Sequence, residues 1–331
     1  MSNYFLFYTF IFFLNFFLIL FFKKIKIFHY NIDYPDNKRK NHKLPTPLAG
    51  GMIIIINLFF IFSYLFLLND FEEKLIFYLS CVLIFLLGFL DDKYNFLYNK
   101  KFIFLSLIFG GCYFFDTNFQ IKILYSEIFE LYISTGRFSF LFTLLCLLLF
   151  SNALNMFDGI NLQCIFFCIV TLLYLLILKN SFEILSIIIC LFFLFYLNKK
   201  NMTFLGNSGS YLLSFIISYH IIFNYNQGLI NNIEEIFIIL MLPGIDMLRL
   251  FFQRILNKKN PFKGDRGHIH HLLLDNYNYK IAIISLSFIL MLNLILLTFG
   301  LNKLIIILIS LIIYITTIAI CKNKSKKVNS L

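Results

Sequence analysis

The sequence predicts an all-α, polytopic integral membrane protein with about eleven transmembrane helices. Of its 331 residues, 60% are hydrophobic and 14% are charged, and the mean hydropathy is +0.84. Soluble globular proteins contain about 45–50% apolar and about 25% charged residues, so this composition excludes a soluble domain. It also excludes a disordered chain, because so much apolar surface has to be buried. The lipid bilayer is the environment that accommodates it.

Eleven apolar runs predict the membrane spans, since a helix needs roughly 20 apolar residues to cross a bilayer. Their cores lie near residues 4–22, 50–68, 75–90, 102–115, 138–150, 164–178, 182–197, 210–223, 233–245, 281–300 and 304–320. The runs at 102–115 and 138–150 are short, and a buried or re-entrant segment is the alternative for either. Three basic residues, Lys23, Lys24 and Lys26, follow the first run, and no basic residue precedes it. A secretory signal peptide has the opposite charge order, so a retained membrane anchor is predicted.

Basic residues are distributed unevenly between the two sets of loops. If the loops alternate across the membrane, one side holds 23 of the 28 Lys and Arg. Asp and Glu divide eight against nine, so the asymmetry belongs to the basic residues alone, as the positive-inside rule requires. The basic side is therefore predicted to be cytoplasmic, with the amino terminus outside and the carboxyl terminus inside. The same distribution argues against nucleic acid as the reason for the net charge of +11.

The predicted organisation is a single transmembrane domain, 1–321, followed by a basic cytoplasmic tail, 322–331. No loop is long enough to fold as a separate soluble domain. The apolar runs are almost free of ionisable groups, whereas a transporter places such groups at membrane depth. The dense polar clusters instead occupy the cytoplasmic loops, which are residues 23–49, 91–101, 151–163, 198–209 and 246–280. These clusters predict an active site at the cytoplasmic membrane surface.

A pair of carboxylates, Asp91 and Asp92, ends the third run. Both lie at the negative end of a helix dipole, which disfavours each anion by about 0.3–1 kcal/mol, and the two repel each other. A divalent cation, a basic neighbour or a raised pKa would offset this, and a raised pKa suits a general base. Asp91 is expected to have no packing role, and a merely solvated loop start is the alternative for the pair.

Two amides and a third carboxylate follow the fifth run. Asn152, Asn155 and Asp158 are spaced three apart, so a helical continuation places them on one face beside Gly159. Amide and carboxylate oxygens suit Mg²⁺ and hydrogen bonds to a nucleotide. Ordinary helix capping and turn chemistry is the alternative.

Glycines open two helices that begin on the cytoplasmic side, at Gly50-Gly51 and at residues 206–210. The free N–H groups and positive dipole end of a helix start favour phosphate, and glycine lets the backbone approach it closely. Simple capping by Asn207 or Ser208 is the alternative.

Three histidines, His268, His270 and His271, fall within four residues of a basic loop. Diphosphate binding is favoured by the surrounding Lys and Arg. Zinc is the competing hypothesis, but the i, i+4 spacing that places two ligands on one helical face is missing. Attraction to anionic lipid would explain the Lys and Arg and leave the histidines unexplained.

In this order along the chain, five motifs resemble those of the polyprenyl-phosphate N-acetylhexosamine-1-phosphate transferases, a group of glycosyltransferase family 4. The motifs lie at residues 39–51, 91–92, 152–159, 204–210 and 268–271. The His-x-His-His form of the last one is similar to the N-acetylglucosaminyl branch of the family.

This resemblance implies that a UDP-N-acetylhexosamine, with UDP-GlcNAc as the default, donates its sugar-1-phosphate to undecaprenyl or another polyprenyl phosphate. UMP would be released, and the lipid diphosphate sugar would initiate a cell-envelope polysaccharide such as the O-antigen of lipopolysaccharide. It also implies Mg²⁺, or Mn²⁺ in its place, and a multi-pass protein of the bacterial inner membrane with a cytoplasmic active site. A homodimer is left open. The implied roles are catalysis for Asp91 and Asp92, metal binding for Asn155 and Asn207, and substrate binding for Lys43, Asn152, Asp158, His268, His270 and His271.

Two positions depart from the family pattern. The family usually has Asp where this chain has Asn207, and Asp-Gly where it has Asn161-Leu162. Asn207 keeps an oxygen ligand but loses a negative charge, so weaker metal binding is predicted. The alternatives are a phospho-N-acetylmuramoyl-pentapeptide transferase or another UDP-sugar specificity, a catalytically inactive homologue, and a membrane carrier. A carrier would show broken spans and charge at mid-membrane, and its nearest approach is Pro243-Gly244, which interrupts the ninth run.

Overall fold

A computed structural model describes residues 2–35, 44–260 and 266–329 of the chain. Twelve α-helices form nearly all of the regular structure in these ranges. They are α1 (Ser2–Leu20), α2 (Gly50–Leu67), α3 (Leu75–Tyr94), α4 (Tyr98–Phe115), α5 (Ser139–Phe157), α6 (Gln163–Leu178), α7 (Phe182–Lys199), α8 (Gly206–Asn226), α9 (Ile233–Leu256), α10 (Ile269–Asn276), α11 (Tyr279–Thr298) and α12 (Lys303–Asn329).

Two short antiparallel ribbons accompany the helices. Strand β1 (Ile32–Asp33) pairs with β2 (Thr46–Pro47), and β3 (Ile123–Ser126) pairs with β4 (Leu131–Ser134). The first ribbon precedes α2 and belongs to the loop that carries the first sequence motif. The second lies between α4 and α5, at the opposite end of the bundle.

The all-α membrane class predicted from composition is confirmed. In the described ranges each of the eleven apolar runs overlaps one long helix, with ends that agree to within two residues at 4–22, 50–68 and 281–300, and α10 is an additional short helix between α9 and α11. Within the described ranges, six segments are long and apolar enough to cross a membrane by length and composition: Gly50–Leu67, Leu75–Tyr94, Gly136–Phe157, Phe182–Lys199, Tyr279–Thr298 and Lys303–Lys324. The count of eleven spans and the orientation of the termini stay predictions.

Helix α9 differs from its sequence interpretation. The run was expected to be interrupted at Pro243-Gly244, yet α9 continues through both residues to Leu256. A proline removes one backbone donor, but the rest of the helix ladder and the packing of α9 against α5, α11 and α12 remain. The broken span that a carrier would need is therefore not formed at this position.

Helix α8 is at the centre of the bundle, where it packs against α2, α3, α5 and α6. Residues 208–222 are all buried, including the small hydroxyl residues Ser208, Ser210, Ser214 and Ser218. A helix that is buried on every side requires neighbours that can approach it closely. Glycines on α2 and α3 meet this requirement at the start of α8.

An added Cβ atom would collide with α8 at each of three glycines. It would lie 2.6 Å from the Leu205 Cα at Gly50, 2.7 Å from the Gly209 nitrogen at Gly51, and 2.4 Å from the Ser208 Cα at Gly88. In each case the obstructing atom belongs to the backbone and cannot move aside. These glycines therefore fix the spacing between helices at the end of the bundle that carries the polar motifs.

Replacing Gly88 with alanine is expected to lower the thermal unfolding midpoint of the detergent-solubilised protein. Overpacking a well-packed core costs typically about 1–3 kcal/mol, and the backbone contact here leaves no room for relief. A thiol-reactive dye that reports exposure of the mostly buried cysteines measures the midpoint. The matched control is Gly111→Ala in α4, whose Cβ would meet nothing within 4 Å. Equal midpoints for the two variants would contradict the close approach of α3 and α8.

Candidate active site

The start of α8 is held by the carboxylate of Asp92, which lies in the last turn of α3. Its Oδ1 accepts the Asn207 N–H at 2.7 Å, and its Oδ2 accepts the N–H and the hydroxyl of Ser208 at 3.1 and 2.9 Å. Three donors at a positive helix end suit one carboxylate. The C-terminal end of α3 and the N-terminal end of α8 are thereby fixed to each other.

Asn207 is in turn bonded to α5. The Asn155 Nδ2 donates to the Asn207 Oδ1 at 2.7 Å and to the Ser210 hydroxyl at 2.8 Å. The two residues to which metal binding was assigned from the sequence are therefore adjacent. In the part of the chain that the structure describes, the side-chain oxygen Oδ1 of Asn155 accepts no hydrogen bond and is available as a ligand.

Asp158 follows the last turn of α5, three residues beyond Asn155. Burial, and then the negative charge of Asp92, raise the pKa of its carboxyl well above the usual 3.8. Among the described residues no side chain or N–H group forms a hydrogen bond or ion pair with this carboxylate. Asp158 is thus an acidic group without a compensating partner, close to a second acidic group.

The histidine loop reaches the same place through Gly159. A Cβ atom at Gly159 would lie 2.0 Å from the His270 Nε2, so the imidazole occupies the space that any other residue would fill. Contacts therefore run from Asp92 through Asn207 and Asn155 to the turn after α5 and on to His270. The structure brings these sequence-predicted residues together, while their chemical roles stay predictions.

Asp91 has a different environment from its neighbour Asp92. It is fully buried, its Oδ2 lies 2.8 Å from the Lys101 Nζ, and its Oδ1 accepts the Phe96 N–H at 2.9 Å. The expectation that this residue has no packing role is wrong, because α4 folds back along α3 and covers it. Of the three ways to offset paired carboxylates, Asp91 uses a basic neighbour. Sequence reasoning missed Lys101, since no local spacing links it to Asp91.

The expectation that phosphate binds the amides at the two glycine-rich helix starts is also wrong for the groups seen here. The N–H groups of Gly50 and Gly51 donate to the carbonyls of Phe204 and Leu205 at 3.0 and 3.2 Å. The corresponding amides of α8 donate to Asp92. These donors are satisfied within the protein, and the glycines serve close helix packing instead of anion binding.

The segment before α2 is bonded to the segment before α8. The Phe204 N–H and the Thr203 hydroxyl both donate to the Pro47 carbonyl, at 2.9 and 3.0 Å, and the Ala49 N–H donates to the Thr203 Oγ1 at 3.0 Å. The Pro-Leu-Ala-Gly-Gly part of the first motif is thus a support for the site. Lys43, the substrate-binding candidate of that motif, lies outside the described residues.

The three histidines pack against one another at the start of α10. The rings of His268 and His270 are nearly parallel with centroids 5.4 Å apart, and those of His270 and His271 are 4.3 Å apart. Burial, followed by the charge of neighbouring basic groups, lowers the pKa of His270 far below its usual value and that of His271 to about 4. Both rings are therefore neutral near pH 7 and act as hydrogen-bonding groups instead of cations.

Asn152 does not join its predicted partners. Its Nδ2 lies 3.7 Å from the Met247 Sδ, so the side chain is directed to α9. Asn161, which stands where the family usually has Asp, donates a hydrogen bond to the side-chain oxygen of Asn201. Asn152 and Asn155 are both in α5 but bond to different helices, and the proposed common face of Asn152, Asn155 and Asp158 stays a prediction.

The donor chemistry of the site fits Mg²⁺ or Mn²⁺. Asn155, Asn207 and Asp158 offer amide and carboxylate oxygens, which hard cations prefer, and the uncompensated Asp158 supplies negative charge. No group of three or more His, Cys, Asp or Glu side chains able to hold a metal occurs in the described ranges. Amide oxygens would therefore have to complete the coordination.

Comparison with known proteins places these residues in one family region. Residues 74–224 match glycosyl transferase family 4, a range that includes the carboxylates and amides of the site and ends before the histidines. The undecaprenyl-phosphate alpha-N-acetylglucosaminyl 1-phosphate transferase of Thermotoga maritima is 29% identical over 284 residues, covering 86% of this chain and 85% of that protein. Proteins of the same name from Yersinia pestis and Escherichia coli K12 are 28% and 26% identical, covering 73% of this chain and 69% of theirs.

Proposed function

We propose that the chain is a member of glycosyl transferase family 4 that transfers N-acetylglucosamine-1-phosphate from UDP-GlcNAc to undecaprenyl phosphate. The observation that carries the proposal is the line of contacts from Asp92 through Asn207 and Asn155 to Gly159 and His270. It gathers oxygen ligands and imidazoles at the end of the bundle where the lipid phosphate would lie. We place this end at the cytoplasmic face of a bacterial inner membrane, on the charge asymmetry of the loops.

In the proposed reaction, an oxygen of the lipid phosphate attacks the phosphorus that carries the sugar. A new diphosphate bond forms, the bond from that phosphorus to the oxygen of UMP breaks, and UMP leaves with the electron pair. Asn155, Asp158 and Asn207 would hold Mg²⁺, or Mn²⁺ in its place, and the bound cation supplies charge neutralisation on the diphosphate. Asp91 and Asp92 remain the acidic pair, with Asp92 orienting Asn207 and Asp91 anchored by Lys101.

Radiolabelled UDP-GlcNAc, undecaprenyl phosphate and Mg²⁺, incubated with the purified protein, test the proposal. The expected result is label in the lipid extract together with an equal amount of UMP. UDP-GalNAc and UDP-N-acetylmuramoyl-pentapeptide, tested in parallel, decide the sugar. UMP without labelled lipid would make the protein a hydrolase, and absence of both products would support an inactive homologue.

The substitution Asn207→Asp is expected to lower the Mg²⁺ concentration that gives half-maximal activity by about tenfold. An added carboxylate strengthens hard-cation binding, and its oxygen still accepts the hydrogen bond of the Asn155 amide. The control is Asn201→Asp, which adds the same charge at an exposed position bonded to Asn161. A Mg²⁺ requirement that is the same in Asn207→Asp and wild type would remove Asn207 from the metal-binding residues.

A further inference from the structure

Asp246, in α9, is a buried carboxylate at which three helices meet. It is 1% exposed, and it forms hydrogen bonds with residues of α9, of the first turn of α10 and of α12. The proposed chemistry does not use it, and the sequence marked it only as the start of a polar cluster. Two of its partners, His268 and Ile269, nevertheless begin the histidine helix.

The two oxygens of Asp246 have different partners. Oδ1 accepts the Arg249 guanidinium at 2.8 Å, the Ile269 N–H at 3.1 Å and the Tyr314 hydroxyl at 2.8 Å. Oδ2 lies 2.8 Å from the Nδ1 of His268. Arg249 also donates to the Gly267 carbonyl at 2.7 Å and, through Nε, to the Tyr314 hydroxyl at 2.7 Å. A rotation of the carboxylate would break the hydrogen bonds of three donors to Oδ1 and the contact of Oδ2 with His268.

This arrangement fixes which nitrogen of His268 carries the proton. Because a carboxylate only accepts, the Nδ1 of His268 is the donor, and Nε2 is the nitrogen left for other partners. His270 and His271 have no carboxylate bonded to them in the described ranges, so His268 is distinct among the three.

The orientation of His268 is passed on to the site. Its ring lies nearly parallel to that of His270, with centroids 5.4 Å apart. His270 in turn fills the space over Gly159, next to Asp158. One face of the His268 ring thus packs against the ring of His270, and its Nδ1 edge is bonded to Asp246.

We propose that Asp246 is a positioning residue, which holds His268 with its proton on Nδ1 so that Nε2 meets the diphosphate of the sugar donor. The role of the donor rests on the proposed function. The orientation of the imidazole does not depend on it and is measurable in the protein alone.

Asp246→Asn reverses the hydrogen bond to His268. The three donors around Oδ1 hold the amide oxygen on their side, so the amide nitrogen faces His268 and donates to Nδ1. The proton of the neutral ring then moves to Nε2. The KM for UDP-GlcNAc is expected to rise by about ten- to a hundredfold, the range seen when a metal-bound histidine loses its hydrogen-bond partner, with the KM for undecaprenyl phosphate unchanged.

Tyr314→Phe is the matched control. It removes one donor from Oδ1 of the same carboxylate and leaves the bond from Oδ2 to His268 in place. Its KM for UDP-GlcNAc is expected to stay within about twofold of wild type, because Oδ1 keeps the Arg249 guanidinium and the Ile269 N–H as donors. An equal rise in both variants would overturn the proposal, because it would then reflect general loosening of α10.

A double-mutant cycle separates positioning from packing. If Asp246 acts through His268, Asp246→Asn has no further effect in a His268→Gln background, so that the double variant matches His268→Gln alone. Losses that multiply would show that the two residues act independently and would overturn the proposal.

A nitrogen-15 NMR spectrum of histidine-labelled protein in lipid nanodiscs gives a result that needs no activity. The His268 signals are assigned by their disappearance in His268→Gln. We expect His268 to be protonated at Nδ1 in wild type. In Asp246→Asn we expect its Nε2 to be protonated and its Nδ1 unprotonated. The same protonated nitrogen in both would overturn the proposal. If wild type forms no lipid product, the proposed function fails and the spectrum alone decides the role of Asp246.

Discussion

Replacing Asp158 with asparagine is expected to lower kcat about a thousandfold while the protein becomes more stable to heat at neutral pH. The carboxylate has no partner among the described residues and lies near Asp92, so its charge is available to a cation bound with the donor diphosphate. Loss of a charge that acts on the reacting groups costs typically about 10²- to 10⁴-fold in rate. The lipid-label assay measures the first effect.

The stability effect follows from the raised pKa of the same carboxyl. In the folded protein the pKa of Asp158 lies well above the usual 3.8, so the folded state binds the proton more tightly than the unfolded chain. The contribution of the Asp158 carboxyl to folding stability is therefore fully present below pH 3.8, and it is lost as the pH rises through the folded-state pKa. Asparagine does not titrate, so the gain in unfolding midpoint should appear at neutral pH and vanish in acid.

Asp70→Asn, in the exposed turn after α2, is the control for the loss of one negative charge. It should change neither kcat nor the pH dependence of the unfolding midpoint. An Asp158→Asn protein that is both active and no more stable than wild type would show that the carboxylate is solvated and compensated. That outcome would remove Asp158 from the site.

The substitution Gly159→Ala is expected to lower kcat at least a hundredfold. The new methyl carbon would lie 2.0 Å from the Nε2 of His270, whose side chain is fully buried. Either α10 or the turn after α5 must shift, and a displacement of about 1 Å in a catalytic arrangement costs about a hundredfold. Because the turn lies at the edge of the bundle, the unfolding midpoint should fall less than for Gly88→Ala.

Gly244→Ala, in α9, is the matched control, because its Cβ would meet nothing within 4 Å. It should retain the wild-type rate. Wild-type kcat in Gly159→Ala would mean that His270 and the turn after α5 do not need their close approach for turnover. The histidine loop would then have to meet the substrate from another direction.

Much of the fold was readable from the sequence. Apolar runs and the distribution of basic residues depend on transfer into lipid, which each segment undergoes by itself, so local composition was sufficient. The ends of the helices were less predictable. The apolar run at 138–150 ends seven residues before α5 does, because α5 continues to Phe157 through Asn152 and Asn155, as the spacing of these amides but not their hydropathy indicates. Those amides are polar, but neighbouring helices cover them, so hydropathy alone could not extend the helix.

Part of the site was predictable for the same reason. Asn155 and Asp158 are three residues apart on one helix end, and Asp91 and Asp92 are adjacent. Lys101 and Asp246 were missed, since their partners come from other helices. The phosphate-binding interpretation of the glycines failed because a free helix start and one capped by a distant carboxylate have the same local sequence.

The amino-acid sequence by itself determined that this protein lies in a membrane, which segments are helical, and which polar groups gather at one set of loops. Each of these depends on the transfer of a single segment between water and lipid or on spacing along one helix. Only the tertiary structure decided which carboxylates are free. Asp91 is paired with Lys101, Asp92 with the start of α8 and Asp246 with His268, whereas Asp158 has no such partner in the described residues. These pairings depend on the close packing of α3, α4, α8, α9 and α10. The local sequence of a single helix does not specify which other helices pack against it.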